Sequence, residues 1–209
     1  MTRNDTVGRT RESPARRRVL TTARALFYAE GVRRVGIDRI IAEADVAKAT
    51  FYHHFPTKDA LVCAYLEEQS KSERTLTQRI DAAQTEPTTK IRALFDIIGE
   101  VGCGPGFNGC PFINAAAEYP DPRHPVRRVI AEHRRWFRGF LYDLLVAAGH
   151  PDAHRTAAML LVLRDGLVVG SDLDDPAEIR RLTQSAVERI LGPSDADHGG
   201  ESSRAALRP

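Results

Sequence analysis

Residues 36–61 read GIDRIIAEADVAKATFYHHFPTKDAL, two short helical patterns separated by one break in period. Ile37, Ile40 and Ile41 recur at the spacing that puts apolar side chains on one face of a helix. Glu43-Ala44-Asp45-Val46 interrupts that period, and Asp45 tolerates the left-handed turn conformation that most side chains avoid. Val46, Ala49 and Phe51 are the inward anchors expected for the second helix. Lys48, Thr50, Tyr52, His53 and His54 are then shared among its remaining faces, a set of side chains suited to phosphates and base edges. The layout is that of a helix-turn-helix. A helical hairpin that is merely polar outside has the same spacing, so spacing alone leaves both readings open.

The residues themselves decide between them. Ala47-Lys48-Ala49-Thr50-Phe51-Tyr52-His53-His54-Phe55-Pro56-Thr57-Lys58-Asp59-Ala60-Leu61 resembles the signature of the tetracycline-repressor (TetR) family of bacterial transcription regulators. Members typically carry Ser-Lys-Gly-Thr-Leu-Tyr-x-His-Phe-x-Ser/Asn-Lys-Glu-x-Leu there. The match covers roughly residues 14–66; beyond it the similarity is one of helical layout. By this resemblance Lys48, Ala49, Thr50 and His53 stand where family residues approach base edges. Tyr52, His54 and Lys58 stand where family residues contact phosphates. Tyr52 also has a physical case, because its hydroxyl can donate to a phosphate while its ring packs on the helix. Lys58 opens the next helix, where free amide hydrogens and the dipole already favour an anion. Phe51 and Phe55 read as core.

Four positions depart from the family pattern. Gly36 replaces a capping Thr or Ser, and Asp38 stands where many members have Arg or another polar residue that reaches DNA. Asp45 replaces a turn glycine. Ala47 replaces the Ser that caps the recognition helix, a loss of roughly 0.5–2 kcal/mol of capping.

Outward from this stretch, 209 residues allow one large or two small domains. No apolar run approaches the roughly 18–20 residues of a membrane span, and the Arg-rich start lacks an apolar signal segment, so a cytoplasmic location with no membrane partner is expected. Three cysteines suit a reducing compartment and make no disulfide framework. The net charge of +2 is unevenly spread: residues 1–60 hold 12 Lys/Arg against 7 Asp/Glu. Basic charge is gathered at the end that holds the helix-turn-helix, as a nucleic-acid-binding end requires, though a solvated basic surface has the same composition.

Residues 1–13 read as a disordered basic arm with Arg3, Arg9 and Arg11 free to meet phosphates. Ser13-Pro14 supplies a capping hydroxyl and a proline where no amide hydrogen is needed. A first helix is expected from Pro14 to Glu30, with Val19, Leu20, Ala23, Leu26 and Phe27 inward and Gly31 ending it. Arg16, Arg17 and Arg18 near its start oppose the helix dipole; they are either solvated or in contact with DNA backbone. Residues 14–60 form the DNA-binding head and residues 61–191 the body, with a disordered tail over 192–209.

In the body a long helix is expected from Lys58 to about Gln84. Thr88 or Thr89 is expected to cap the next, which bears Ile91, Leu94, Phe95, Ile98 and Val101. The stretch Gly102-Cys103-Gly104-Pro105-Gly106-Phe107-Asn108-Gly109-Cys110-Pro111 has no helical period. It lacks the lysine and the strand-to-helix context of a phosphate loop. A short helix at 112–118 follows, then an amphipathic one at about 125–148, then two more at about 152–173 and 176–191. Ala158, Val162, Gly166 and Gly170 recur every four residues, a row that suits a close crossing either at a two-fold axis or within the chain. Leu182, Ala186 and Ile190 give the last helix a complementary face.

The fold expected is all-α: a three-helix head with a helix-turn-helix, and a larger helical body for ligand binding and dimerisation. The resemblance implies a homodimer that binds double-stranded DNA and answers to a small-molecule effector, most simply as a repressor and not as an enzyme. Candidate ligand contacts are Tyr65, Phe95, Phe112, Asn114, His133, Trp136, Phe137 and Arg164. His133 is either one of these or a hydrogen-bonded core histidine. No cofactor or metal is implied. The alternative is a DNA-binding protein of the same fold that senses oxidation or metal through Cys103 and Cys110, although their spacing fits no tight Cys-x-x-Cys site.

Overall fold

The computed structural model describes residues 13–192. The arm and tail expected at the two ends lie, apart from Ser13 and Gly192, outside the described residues. Among the described residues there are nine α-helices and no strand: α1 Pro14–Glu30, α2 Ile37–Glu43, α3 Lys48–His54, α4 Lys58–Ala83, α5 Pro87–Gly102, α6 Pro111–Glu118, α7 Pro125–Ala147, α8 Ala153–Leu173 and α9 Pro176–Leu191. None of them is long and apolar enough to cross a membrane.

The chain divides into two compact units. Among the described residues, one comprises 13–70 together with Pro111–Ile130, and the other Lys71–Cys110 together with 131–192. The first unit therefore joins the head to α6, to the start of α4 and to the first turns of α7.

Within the first unit, α1 follows its period: Val19, Leu20, Ala23, Leu26 and Phe27 are all buried. Gly31 closes it at φ +84, a backbone conformation that suits glycine, and its amide donates to the Phe27 carbonyl. Ser13 does not cap the helix as expected. Its hydroxyl lies 3.2 Å from His54 Nε2 instead, and no side-chain cap forms. Arg16 and Arg18 also have partners within the fold. The Arg16 guanidinium lies over the Phe55 ring, 5.2 Å from its centroid, and Arg18 donates to the Asp45 carbonyl at 3.0 Å. That second bond buttresses the corner, where Asp45 takes the left-handed conformation its residue type suggested, φ +50.

The second unit is built on α5, α8 and α9. Its core gathers Ile91, Leu94, Phe95, Phe137, Leu141, Leu145, Leu160, Leu167 and Val187. Capping differs from expectation at α5, which starts at Pro87 after Glu86 with no side-chain cap, so Thr88 and Thr89 lie inside its first turn. Asp152 and Asp175 cap α8 and α9 by accepting from the amides of Arg155 and Ala177. Val101 departs from the stripe drawn for α5: it is 59% exposed. The inward residues there are Gly99 and Gly102. A Cβ on Gly99 would lie 2.8 Å from Arg180 Cγ, and one on Gly102 would lie 2.7 Å from Ser171 Oγ. Glycine at these two places is what lets α5 approach α8 and α9. Three polar links run along the same helices: Arg92 donates twice to Glu188, Arg180 to Glu100, and Gln184 to Asp96.

The small-residue row on α8 divides. A Cβ on Gly170 would meet Ile179 of α9 in the same chain at 3.1 Å, whereas around Gly166 there is open space. Met159, Val162, Val169 and Leu173 are exposed on α8, and Leu182 on α9.

Candidate nucleic-acid interface and the polar cluster of the body

The recognition helix α3 is seven residues long and hangs on one side chain. Phe51 is fully buried, 6.1 Å from the Phe55 ring centroid and 5.3 Å from that of Tyr52. With Phe51 inward, Lys48, Ala49, Tyr52 and His53 are exposed and Thr50 and His54 half-buried. Ala49 is thus not an inward anchor, and Val46 is only half-buried. Neither α2 nor α3 has a side-chain cap, the consequence of Gly36 and Ala47 at their N-cap positions.

Among the DNA-binding candidates, Lys48 already has a partner. Its ammonium lies 3.1 Å from an Asp38 carboxylate oxygen, and that hydrogen bond and charge raise its pKa above the ordinary lysine value. His54 is engaged by Ser13. Burial pulls the Lys58 ammonium below its ordinary pKa, against the negative charges of Glu118 and Asp59. An exposed basic and aromatic face on an anchored helix can enter a groove and meet both phosphates and base edges.

Two further groups in the first unit escaped the sequence reading. Arg39 bridges Glu43, one turn along α2, and Glu30 at the end of α1, both at 2.7 Å. The Arg39–Glu43 spacing was visible in the sequence as an i, i+4 pair. Glu118 accepts hydrogen bonds from the amides of Val32 at 2.7 Å and Arg33 at 2.5 Å. No local pattern announces a contact spanning 86 residues.

The ligand-binding candidates fall in both units. Tyr65 and Phe112 are buried in the first, where Tyr65 packs on Phe27, and Asn114 is exposed there. In the second unit Phe95 and Phe137 belong to the core, while His133, Trp136, Phe137 and Arg164 surround a buried polar cluster. The His133 and Trp136 rings lie 5.5 Å apart, and the Arg164 guanidinium is 5.7 Å from the Phe137 ring. Arg164 Nη1 donates to Cys110 Sγ at 3.4 Å and lies 3.3 Å from Asp165; Nη2 is 3.8 Å from Glu73. Burial works against the Arg164 charge, but Cys110, Glu73 and Asp165 more than offset it and the pKa stands above its ordinary value. Its Nε is buried without a hydrogen-bond partner. His133 is 3% exposed, with Nε2 3.4 Å from Glu73. Glu73 and Asp165 are members of this cluster that sequence reasoning missed.

The cysteines do not form a matched pair: Cys103 is exposed, Cys110 buried and Cys63 between. Among the described residues no group of three or more His, Cys, Asp or Glu side chains is placed to hold a metal ion.

Comparison with known proteins agrees with this architecture in both halves. Residues 19–65 match the model for bacterial regulatory proteins of the tetR family, and residues 87–186 match that for the tetracyclin repressor-like C-terminal domain. The chain is similar to SCO4454, a TetR-family transcriptional regulator from Streptomyces coelicolor. The two are 41% identical with a TM-score of 0.81, over 85% of this chain and 94% of that one. The fold also resembles the reduced form of E. coli NemR, at a TM-score of 0.74 and 21% identity over 84% of this chain and 96% of that one. The HTH-type transcriptional regulator LmrA of Bacillus subtilis is 28% identical over 125 residues, 58% of this chain and 66% of LmrA. The chain belongs to the TetR family of bacterial transcription regulators.

Proposed function

We propose that this regulator binds palindromic double-stranded DNA as a homodimer through α3, and that a mainly apolar small molecule in its body releases it. The observation that carries the reading is the division of α3 into a single buried anchor, Phe51, and an exposed face of Lys48, Ala49, Tyr52 and His53. Repression is supported by relatives such as DhaR of Mycobacterium and NemR of E. coli, both described as transcriptional repressors and 26% and 25% identical to this chain over 130 and 126 residues. Dimerisation through α8 and α9 is supported by the exposed stripe of Met159, Val162, Val169 and Leu173 around the open Gly166, with Leu182 on α9. An apolar stripe on a helix that buries its opposite face suits a second copy better than water.

The polar cluster bears on the effector. Arg134 is paired with Asp165, Arg164 faces Asp165 and Glu73, and the Arg74 guanidinium lies over the Trp136 ring, 4.3 Å from its centroid. The unmet need is one acceptor for the buried Nε of Arg164. A mainly apolar molecule with one or two polar groups meets that need, using Trp136 and Phe137 as apolar neighbours and His133 or Arg164 as polar ones. Phe95, in the core of the same unit, is a further candidate for its apolar contacts. Release requires that the molecule prefer the conformation in which the heads no longer dock; equal affinity for both conformations releases nothing.

By linkage, operator DNA weakens such a molecule by the factor with which the molecule weakens DNA. The test is a screen for small molecules that raise the thermal stability of the protein, followed by titration of each with and without operator. At least one is expected to show equal reciprocal losses. A set of stabilising molecules none of which changes operator affinity contradicts the ligand-responsive reading.

The bond from Arg164 to Cys110 supports a second reading, in which oxidation at Cys110 replaces the small molecule as the signal. Under it, peroxide releases the wild-type protein from DNA and the Cys110→Ser variant stays bound. Under the first reading, Ser at both Cys103 and Cys110 leaves operator affinity and peroxide response unaltered.

A further inference from the structure

Two of the three helices of the head are short. α2 and α3 are seven residues each and uncapped, and helices of that length are marginal without outside support. The turn between α1 and α2 carries two amide hydrogens, those of Val32 and Arg33, that point at a single carboxylate. Glu118, the last residue of α6, receives both, one on each oxygen. Gly31, next to them, brings the backbone so close that a Cβ there would stand 3.2 Å from Glu118 Oε1. Val32 and Val35 on either side are buried, so the turn is fixed at its apolar residues and at its amides together. A second anchor follows at once. The Tyr119 hydroxyl donates to Asp59 at 3.0 Å, and His124 Nε2 lies 3.3 Å from the other Asp59 oxygen, at the first turn of α4.

We propose that Glu118 is a positioning residue for DNA reading: its carboxylate clamps the α1–α2 turn through the Val32 and Arg33 amides, and so sets α2 and α3 in the geometry that docks. A carboxylate is required because both oxygens must accept. The glutamine side chain has one accepting oxygen and an amino group that is itself a donor, so it leaves one of the two amides facing a donor. The inference rests on the DNA-binding reading, and its two readouts separate the two ideas. Amide exchange in the free protein reports on the clamp alone, whereas operator affinity reports on what the clamp does.

The experiment compares wild type with Glu118→Gln, Glu118→Asp and Gly31→Ala at a temperature where every variant is folded by circular dichroism. In Glu118→Gln, exchange at Val32, Arg33 and the amides of α2 is expected to quicken at least tenfold, with protection at Leu61–Leu66 unchanged. Operator affinity is expected to fall at least tenfold while its salt slope stays as in wild type, because no phosphate contact has been removed. Glu118→Asp keeps the charge and recovers part of the affinity. Gly31→Ala, which crowds the carboxylate and also strains the turn at φ +84, is expected to quicken exchange at the same amides. Faster exchange with wild-type operator affinity overturns the positioning role, and unchanged exchange in Glu118→Gln overturns the clamp itself. Absence of DNA binding by wild type overturns the DNA-binding reading and with it the role assigned to Glu118.

Discussion

Asp38 faces Lys48 across the start of the helix-turn-helix, and this pair is where the chain departs most from its family in chemistry. The family resemblance puts an Arg or another DNA-reaching residue at position 38; here a carboxylate occupies it and holds the Lys48 ammonium at 3.1 Å. Both side chains are more than half exposed, so the pair adds little to stability. On the docking face proposed above its consequence lies in binding, because an acid there repels phosphate and holds the Lys48 ammonium. Asp38→Ala is therefore expected to tighten binding to DNA of any sequence and to steepen the salt dependence by about one phosphate equivalent. Discrimination between operator and scrambled DNA is expected to narrow. Anisotropy titrations at several salt concentrations check this; weaker binding by Asp38→Ala would show that Asp38 orients Lys48 productively.

At the scale of elements, much was legible because periodicity and breakers are local. The stripe of α1, the break at Asp45, and the ends of α1 and α9 follow from residues within a few positions of each other. What was not legible depends on partners far along the chain. Val101 has the right period for the inner face of α5, yet Gly99 and Gly102 face inward because α8 and α9 come too close for a side chain. Ser13 has a capping hydroxyl but spends it on His54, 41 residues away. Gly102→Ala puts a methyl group against Ser171 at a helix contact, and overpacking of this kind costs about 1–3 kcal/mol. Gly99→Ala puts its methyl 2.8 Å from Arg180 Cγ, which must turn aside, but it regains about 1 kcal/mol of helix propensity, so its loss is expected to be the smaller of the two. Denaturant unfolding of the two variants should separate them in that order; equal losses would mean that α5 can shift to admit either methyl.

For the whole molecule the account requires two copies. A palindrome is read by two heads whose recognition helices reach major grooves about one turn apart, roughly 34–36 Å. The exposed stripe on α8 is the expected seam, so Val162→Glu together with Leu173→Glu should yield a monomer by light scattering and lose most operator affinity. A dimer that survives both changes places the seam elsewhere. Gly170 is a poor site for the same test, because a side chain there strikes Ile179 within its own chain. The central claim is that this protein is a sequence-reading DNA-binding dimer. It is tested most directly by titrating the wild-type protein against a palindrome from DNA flanking its own gene, and against the same bases scrambled, from about 50 to 200 mM salt. The account predicts two protomers per palindrome, clear preference over the scrambled site, and a loss of affinity on the order of a thousandfold across that salt range. Equal affinity for both DNAs, or binding to neither, would contradict it.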